Sequence, residues 1–270
     1  MCSDAISNPT SNAPPRCFVV DRLNVEVHPD RRSLGRAAAR AAAAYLRGVI
    51  ASQGSARVVF ACAPSQDEFL AALADPTVSG VKIDWSRLMA FHMDEYVGLG
   101  ADHPQCFRQY LKSHLLARVP VGGAHLIPAE EADLPEVCRA YAERLAEAPI
   151  DLVCLGVGEN GHIAFNDPPV ADFSDPVLVK VVELDEACRR QQVNDGCFPS
   201  LAQVPRRAFT ITVPVFIRAR RLSIHVPGRR KSAAVRSMLR DPISTACPAT
   251  ILRAHPSARL FLDPESASAL

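Results

Sequence analysis

Four short apolar runs limit what this chain can fold into: RVVFACA (57–63), LMAFHM (88–93), DLVCLGVG (151–158) and RLSIHVPG (221–228). Each breaks off after a few residues into small, polar or proline-containing sequence, as strands buried on both faces do. Stretches with helical character lie before, between and after them. Residues 30–53 are alanine-rich, with Gly54 as a stop, and 131–148 carry Leu134, Val137, Cys138, Tyr141 and Leu145 at spacings of three and four. Residues 67–74, 102–116 (with Pro104 in the first turn) and 229–239 complete the helical set, and Ser65 is the candidate cap before 67. Weaker strands are expected at 18–27, 125–128, 177–184, within 205–214 and at 259–262. This alternation predicts an α/β domain with a mainly parallel sheet covered on both faces. No repeat or linker interrupts 18–263, so one domain is expected over 18–270, behind a loose polar tail at 1–17.

Composition narrows the function classes. The chain has 270 residues, 48% hydrophobic and 22% charged, with a net charge of +1, so nothing global favours nucleic acid or a membrane surface. The apolar stretch 37–51 contains Arg40 and Arg47 and is too short to span a bilayer. Nine scattered cysteines with no CxxC pair argue against a disulfide framework or a structural zinc site and suit a reducing cytoplasm. No histidine pair stands at i,i+4, and His92, His103 and His114 read as surface, capping or packing residues, so no metal is expected.

Chemistry concentrates after the third run. Gly156, Gly158 and Gly161 follow a buried strand and bring Glu159, Asn160, His162, Asn166 and Asp167 onto one loop. Imidazole and carboxylates there occupy the usual site position of an open α/β sheet; a tight turn with a solvated histidine is the simpler reading. Asp94, Glu95 and Tyr96 end the second run, and adjacent carboxylates point different ways, so one at most faces a site. Arg229, Arg230 and Lys231 open the last long helix, where cations oppose the dipole. Either they are solvated, or Lys231 faces a bound anion.

Four segments together, FHMDEYVGL (91–99), GVGENGHIAFNDP (156–168), VPGRRKSAAV (226–235) and TACPATILRAHPSARLFLD (245–263), resemble the glucosamine-6-phosphate deaminase/isomerase family, which shares its fold with 6-phosphogluconolactonases. The resemblance runs from Phe18 onward. It implies a three-layer α/β/α sandwich with a Rossmann-like sheet, and a cofactor-free aldose–ketose isomerisation that releases ammonia from an amino-sugar phosphate. In enzyme terms this is an amino-sugar-phosphate deaminase/isomerase, a hydrolase acting on a carbon–nitrogen bond. It also implies roles: Asp94 moves a proton between C2 and C1, His162 assists ring opening, Asp167 stands for the family's glutamate after AFN, and Lys231 binds the sugar phosphate. Oligomers are common in such a family. Moving a proton between neighbouring carbons suits one carboxylate with a burial-raised pKa, and ring opening suits an imidazole.

The chain departs from the pattern in three places. Asn160 replaces an aspartate two residues before His162; it can orient the ring but adds no charge, unless Glu159 or Asp167 supplies it. Asp167 is a methylene shorter than glutamate. The glycine–threonine phosphate loop after the 57–63 strand is absent, and ACAPSQDEF (61–69) stands there, with Ser65 and Gln66 as substitute donors. Gly161 and Glu95 are further candidates for substrate contact, Glu95 and Tyr96 alternatively for bracing their loop. Arg189 and Arg190 are the nearest candidates for a second phosphate ligand, and 194–196 for a turn that closes over the site. The alternatives are a 6-phosphogluconolactonase-type hydrolase and a non-catalytic sugar-phosphate sensor.

Overall fold

The computed structural model describes residues 13–270. The expected loose tail at 1–17 falls outside them as far as residue 12, while Arg16 and Cys17 stand in a strand. In chain order the elements are β1 (Arg16–Val20), β2 (Leu23–Val27), α1 (Arg31–Gln53), β3 (Ala56–Phe60), α2 (Asp67–Ala74), α3 (Pro76–Ser79), β4 (Leu88–His92), β5 (Asp94–Tyr96), α4 (Phe107–Leu111) and β6 (Gly123–His125). Then follow α5 (Leu134–Ala146), β7 (Leu152–Leu155), β8 (Val179–Glu183), α6 (Glu186–Asn194), β9 (Arg207–Ile211), α7 (Val213–Arg218), β10 (Leu222–Val226), α8 (Ser232–Arg240) and β11 (Ala258–Leu262).

Local chemistry explains most boundaries. The Asp30 carboxylate accepts from the Ser33 amide (2.7 Å), and the Ser33 hydroxyl completes the capping box, so α1 starts there. Gly54, at φ 83°, ends it in the left-handed region. The stretch expected as one strand over 18–27 is a hairpin, because Asp21 turns the chain at φ 52°. The helix expected from Pro104 begins only at Phe107 and continues as a π-helical turn over Lys112–Leu116. Ser65 caps nothing: no side chain caps the 3-10 turn Pro64–Gln66 or α2.

Eight strands form one sheet in the order β1-β2-β11-β10-β7-β3-β4-β6, parallel throughout except for the β1–β2 edge pair. Alternate residues of the central strands feed two cores. Val58, Phe60 and Leu152 pack against α1 and α2, while Val59, Val153 and Leu155 face the side that carries α5 and α8. The molecule is thus the three-layer α/β/α sandwich the sequence implied. A second, antiparallel sheet, β5-β9-β8, rides beside it. It encloses a small core of Tyr96, Phe165, Val182, Leu184, Cys188 and Phe198.

The main sheet changes direction between β3 and β7. From β3 the chain builds outward through β4 to β6, and from β7 through β10 to β11. Loops leaving the carboxyl ends of β3 and β7 therefore diverge and leave a crevice, the position at which open α/β sheets hold ligands. Among the described residues no helix is long and apolar enough to cross a membrane.

Candidate active site

The crevice is a cleft with about 550 Å³ of empty space, counting the part open to solvent. Its walls come from six places: the segment 61–65 after β3, Met93 and Asp94 around the start of β5, Phe107 of α4, the glycine loop after β7, Gln191, Gln192 and Asp195 at the end of α6, and Lys231 ahead of α8. Asp94, His162, Lys231 and Ser65 all line it.

Asp94 is 8% exposed and opens onto the cleft. Burial, with the neighbouring Glu95 carboxylate adding to it, pushes its pKa well above the ordinary carboxylate value. Its backbone is fixed by β5, where it pairs opposite Thr210 of β9. The Thr210 hydroxyl in turn accepts from the Phe165 amide (3.1 Å) and the Asn166 side-chain amide (3.3 Å). Thr210 thus ties β9, and through its backbone pairing the strand that carries Asp94, to the loop that carries His162.

That loop is tightly wound. Gly161 lies at φ 84° and Ala164 at φ 48°. The Asn166 amide donates to the Ile163 and Ile211 carbonyls at 2.8 Å each, holding the turn closed. A Cβ on Gly158 would stand 2.2 Å from Cε1 of His162, so only glycine lets the ring lie against this backbone. Nδ1 of His162 lies 2.9 Å from Oδ1 of Asp167, and among the described residues Oδ2 of Asp167 has no hydrogen-bond partner. Asn160 clamps the pair: its amide donates to Oδ1 of Asp167 (3.0 Å) and its oxygen accepts from the His162 backbone N–H (3.1 Å). Burial alone would raise the Asp167 pKa; the contacts with His162, Asn160 and the Asp185 backbone outweigh it and hold the carboxyl below its ordinary value. The charge that Asn160 lacks is therefore supplied by Asp167. Glu159 instead faces Arg230 at 3.5 Å.

Lys231 is 7% exposed, and burial pulls its pKa down against the opposing pull of Asp195 and Glu159. Of the three cations in its turn it alone lines the cleft. Arg230 is spent on Asp195 (2.9 Å) and on the Asn194 carbonyl (2.5 Å), which pins the 194–196 turn at the cleft mouth.

Several expected contacts lie elsewhere. Glu95 is fully buried and does not reach the cleft. Its oxygens accept from the backbone N–H groups of Tyr96 (2.9 Å), Phe107 (3.0 Å) and Arg108 (2.9 Å) and from the Cys106 thiol (3.0 Å). The bracing alternative describes it. Gly161 forms no part of the wall; its carbonyl accepts from the Ala249 amide (2.8 Å) and its Cα face abuts Cys247. Gln66 is 1% exposed and sits behind Ser65, and Asn160 sits behind His162. Arg189 is turned toward the carbonyls of Leu201 and Val204, and Arg190 pairs with Glu186 on the surface. The next residues on the helix, Gln191 and Gln192, face the cleft instead. Spacing showed no ligand cluster, yet folding brings ligand atoms of His162, Asp167 and Cys188 within 4.8 Å of one another. Burial and the Asp167 carboxylate push the pKa of the Cys188 thiol well above its ordinary value.

The glucosamine-6-phosphate isomerases/6-phosphogluconolactonase family model matches residues 29–261. The chain belongs to this family. It is 34% identical over 190 residues to a glucosamine-6-phosphate deaminase of Thermoanaerobacter pseudethanolicus, covering 69% of this chain and 73% of that one. A deaminase of the same name from Exiguobacterium is 35% identical over 186 residues, covering 69% and 71%. Among solved structures, a monomeric glucosamine-6-phosphate deaminase superposes with a TM-score of 0.82 at 26% identity over 91% of this chain and 99% of that one. A 6-phosphogluconolactonase from Trypanosoma brucei superposes at 0.74 with 21% identity over 94% and 100%, which is a likeness of fold.

Within the family's frame the site has parts that its motifs do not carry. Thr210, Gln191 and Gln192 escaped the sequence reading. FTITV reads as a strand, but nothing local says that its threonine reaches another loop. The two glutamines lie in a helix whose arginines attract attention first.

Proposed function

We propose that this chain converts an amino-sugar phosphate to the corresponding ketose phosphate and ammonia, with glucosamine 6-phosphate, the substrate its relatives are named for, as the first compound to test. The observation that carries the reading is that Asp94, His162 and Lys231, distant in sequence, line one cleft.

The roles follow from chemistry. The Lys231 ammonium and the Ser65 hydroxyl take the phosphate, which sets the sugar's reacting end toward Asp94 and His162. His162, held by Asp167 and Asn160, accepts the C1 hydroxyl proton and returns a proton to the ring oxygen, giving the open chain. As the C2 ammonium gives one proton to O1, Asp94 removes the C2 proton and delivers it to C1; its raised pKa makes it a stronger base than an exposed aspartate. The resulting C2 iminium adds water and expels ammonia, so water is consumed and no redox partner is needed. The carbon–nitrogen bond breaks by addition of water, which is the sense in which the enzyme is a hydrolase. Gln191, Gln192 and Asp195 stand where sugar hydroxyls pass.

Lactone hydrolysis requires activation of a water but no proton transfer between carbons, and leaves Asp94 without a task. The test is ammonia release from glucosamine 6-phosphate by the purified chain, with hydrolysis of 6-phosphogluconolactone run beside it. Ammonia release that disappears in Asp94→Asn supports the reading. Lactone hydrolysis without ammonia release overturns it, and binding of the sugar phosphate with neither product indicates a sensor.

A further inference from the structure

The phosphate end of the cleft lacks a glycine loop, but Ser65 is not left to itself. Behind it lies a buried chain of polar side chains. The Gln66 amide nitrogen donates to Oγ of Ser65 (3.0 Å) and lies 3.4 Å from the His225 carbonyl oxygen. Oε1 of Gln66 is 2.8 Å from Nδ1 of His225, and Nε2 of His225 is 2.7 Å from the Ser223 hydroxyl. His225 is fully buried between Phe69, with ring centroids 3.9 Å apart, and Phe261, at 5.9 Å.

One order of hydrogens satisfies every contact in this chain, the His225 carbonyl included. A flipped Gln66 would set its oxygen against the His225 carbonyl, so the nitrogen faces that way. Oε1 then needs a donor, which makes Nδ1 of His225 the protonated nitrogen, and Nε2 accepts from Ser223. Burial keeps the ring neutral by pulling its pKa down to about 3, so the order holds throughout the neutral range. Oγ of Ser65 is occupied as an acceptor, and among the described residues nothing takes its hydrogen. That hydrogen is left for the cleft, which Ser65 lines together with Lys231. Gly156 is part of the same arrangement, since a Cβ there would meet the Gln66 amide at 3.1 Å and Ser65 Oγ at 3.4 Å.

We infer that His225, acting through Gln66, is a positioning residue that commits the Ser65 hydroxyl to donate toward a phosphoryl oxygen beside the Lys231 ammonium. The inference rests on the proposed reading of this end of the cleft as the phosphate subsite. A neutral, water-excluded side-chain relay here does what backbone amides do in a glycine loop: it presents a donor of fixed polarity to an anion.

The test is a double-variant cycle read with inorganic phosphate as the probe, by calorimetry on Ser65→Ala, His225→Phe and the pair. Ser65→Ala weakens phosphate binding about tenfold, the value of one hydrogen bond to a charged group. His225→Phe, which frees the hydroxyl to rotate, weakens it about threefold to tenfold. The double variant binds no worse than Ser65→Ala alone. With glucosamine 6-phosphate, His225→Phe raises KM while kcat moves less than KM. Unchanged phosphate affinity in Ser65→Ala overturns the inference, as does a His225→Phe effect that persists undiminished without Ser65, because it then acts through packing. Should His225→Phe fail to fold, Gln66→Met takes its place in the cycle with the same expectations. The phosphate cycle reads the relay even if the chain releases no ammonia, so failure of the catalytic reading is seen separately.

Discussion

Glu95→Gln discriminates a bracing carboxylate from a substrate contact. Glu95 follows the candidate base directly, and its carboxylate stands where a capping side chain for α4 is missing: Cys106 makes no cap, and the N–H groups of Phe107 and Arg108 go to Glu95. Oε1 takes two donors and Oε2 takes two, with Nε of Arg108 a further 3.8 Å from Oε2. A glutamine keeps one oxygen and turns an NH₂ group against the two donors at the other end. Each buried donor left without a partner costs about 1–3 kcal/mol, and burying a neutral amide in place of a charge returns part of that, for a net loss of about 2–4 kcal/mol. For a domain of this size that is a fall in Tm of about 5–15 °C. Glu95→Ala, which also strips Arg108 of a buried partner, falls further. The assay is thermal unfolding by circular dichroism, with ammonia release measured well below the transition. We expect a large loss of Tm and activity per folded molecule within about tenfold of the parent, since Asp94 keeps its strand pairing with Thr210. An unchanged Tm would refute the reasoning, and together with lost turnover would move Glu95 into the cleft.

Three further substitutions test the site. Asp94→Asn lowers kcat about 10²–10⁴-fold, as loss of a general base does, in a pH–rate measurement whose acid limb for the parent lies above the ordinary carboxylate range. Because the Asp94 pKa is raised in the folded state, the parent loses stability as pH rises from the unfolded value through the native one, so Asp94→Asn melts higher than the parent at neutral pH. Asp167→Asn removes the charge 2.9 Å from His162 and lowers kcat about 10²-fold or more; the depressed Asp167 pKa stabilises the fold above the ordinary carboxylate value, and melting curves show that difference vanish as pH falls through the native value. Gly158→Ala drives a methyl group into the His162 ring and lowers ammonia release about 10²-fold, with the displaced imidazole visible in its NMR shifts.

Sequence carried the frame of this molecule where the cause was local. Asp30 and Gly54 bound α1 in the chain as in the structure, and the residues 67–74 expected as helix are those of α2. It failed where a distant residue decides. Pro104 suggested a helix start, but the chain turns until Phe107, where Glu95 supplies acceptors from another element. Asp21 breaks an otherwise continuous strand pattern, a turn that aspartate permits without announcing. On α6 the arginines attracted the phosphate reading, yet each step along a helix rotates a side chain by about 100°, so Gln191 and Gln192 reach the cleft and Arg190 reaches solvent. Asn160 looked like a weakened member of the site because charge was counted by position in the motif. In the fold the charge comes from Asp167, and the amide serves both it and the His162 backbone.

One physical arrangement recurs around the cleft. Behind Asp94 lie the Glu95 brace and the Thr210 pairing; behind His162 lie Asp167 and Asn160; behind Ser65 lie Gln66 and His225. The supporting side chains of Glu95, Thr210, Asp167, Gln66 and His225 are all 1% exposed or less, whereas Asp94, His162 and Lys231 retain 7–8%. Water that enters the cleft therefore meets the candidate reacting groups and not the buried side chains behind them. A buried polar residue is costly unless its partners are fixed, and fixed partners are what hold a rotamer to the few tenths of an ångström that proton transfer between adjacent carbons demands. The departures from the family motif fall mainly in this supporting layer, at Asn160, Asp167 and Gln66, with Ser65 the one that lines the cleft. A supporting layer accepts a different side chain as long as the donor and acceptor order presented to the cleft is kept, and for that reason changes in the motif there need not change the reaction.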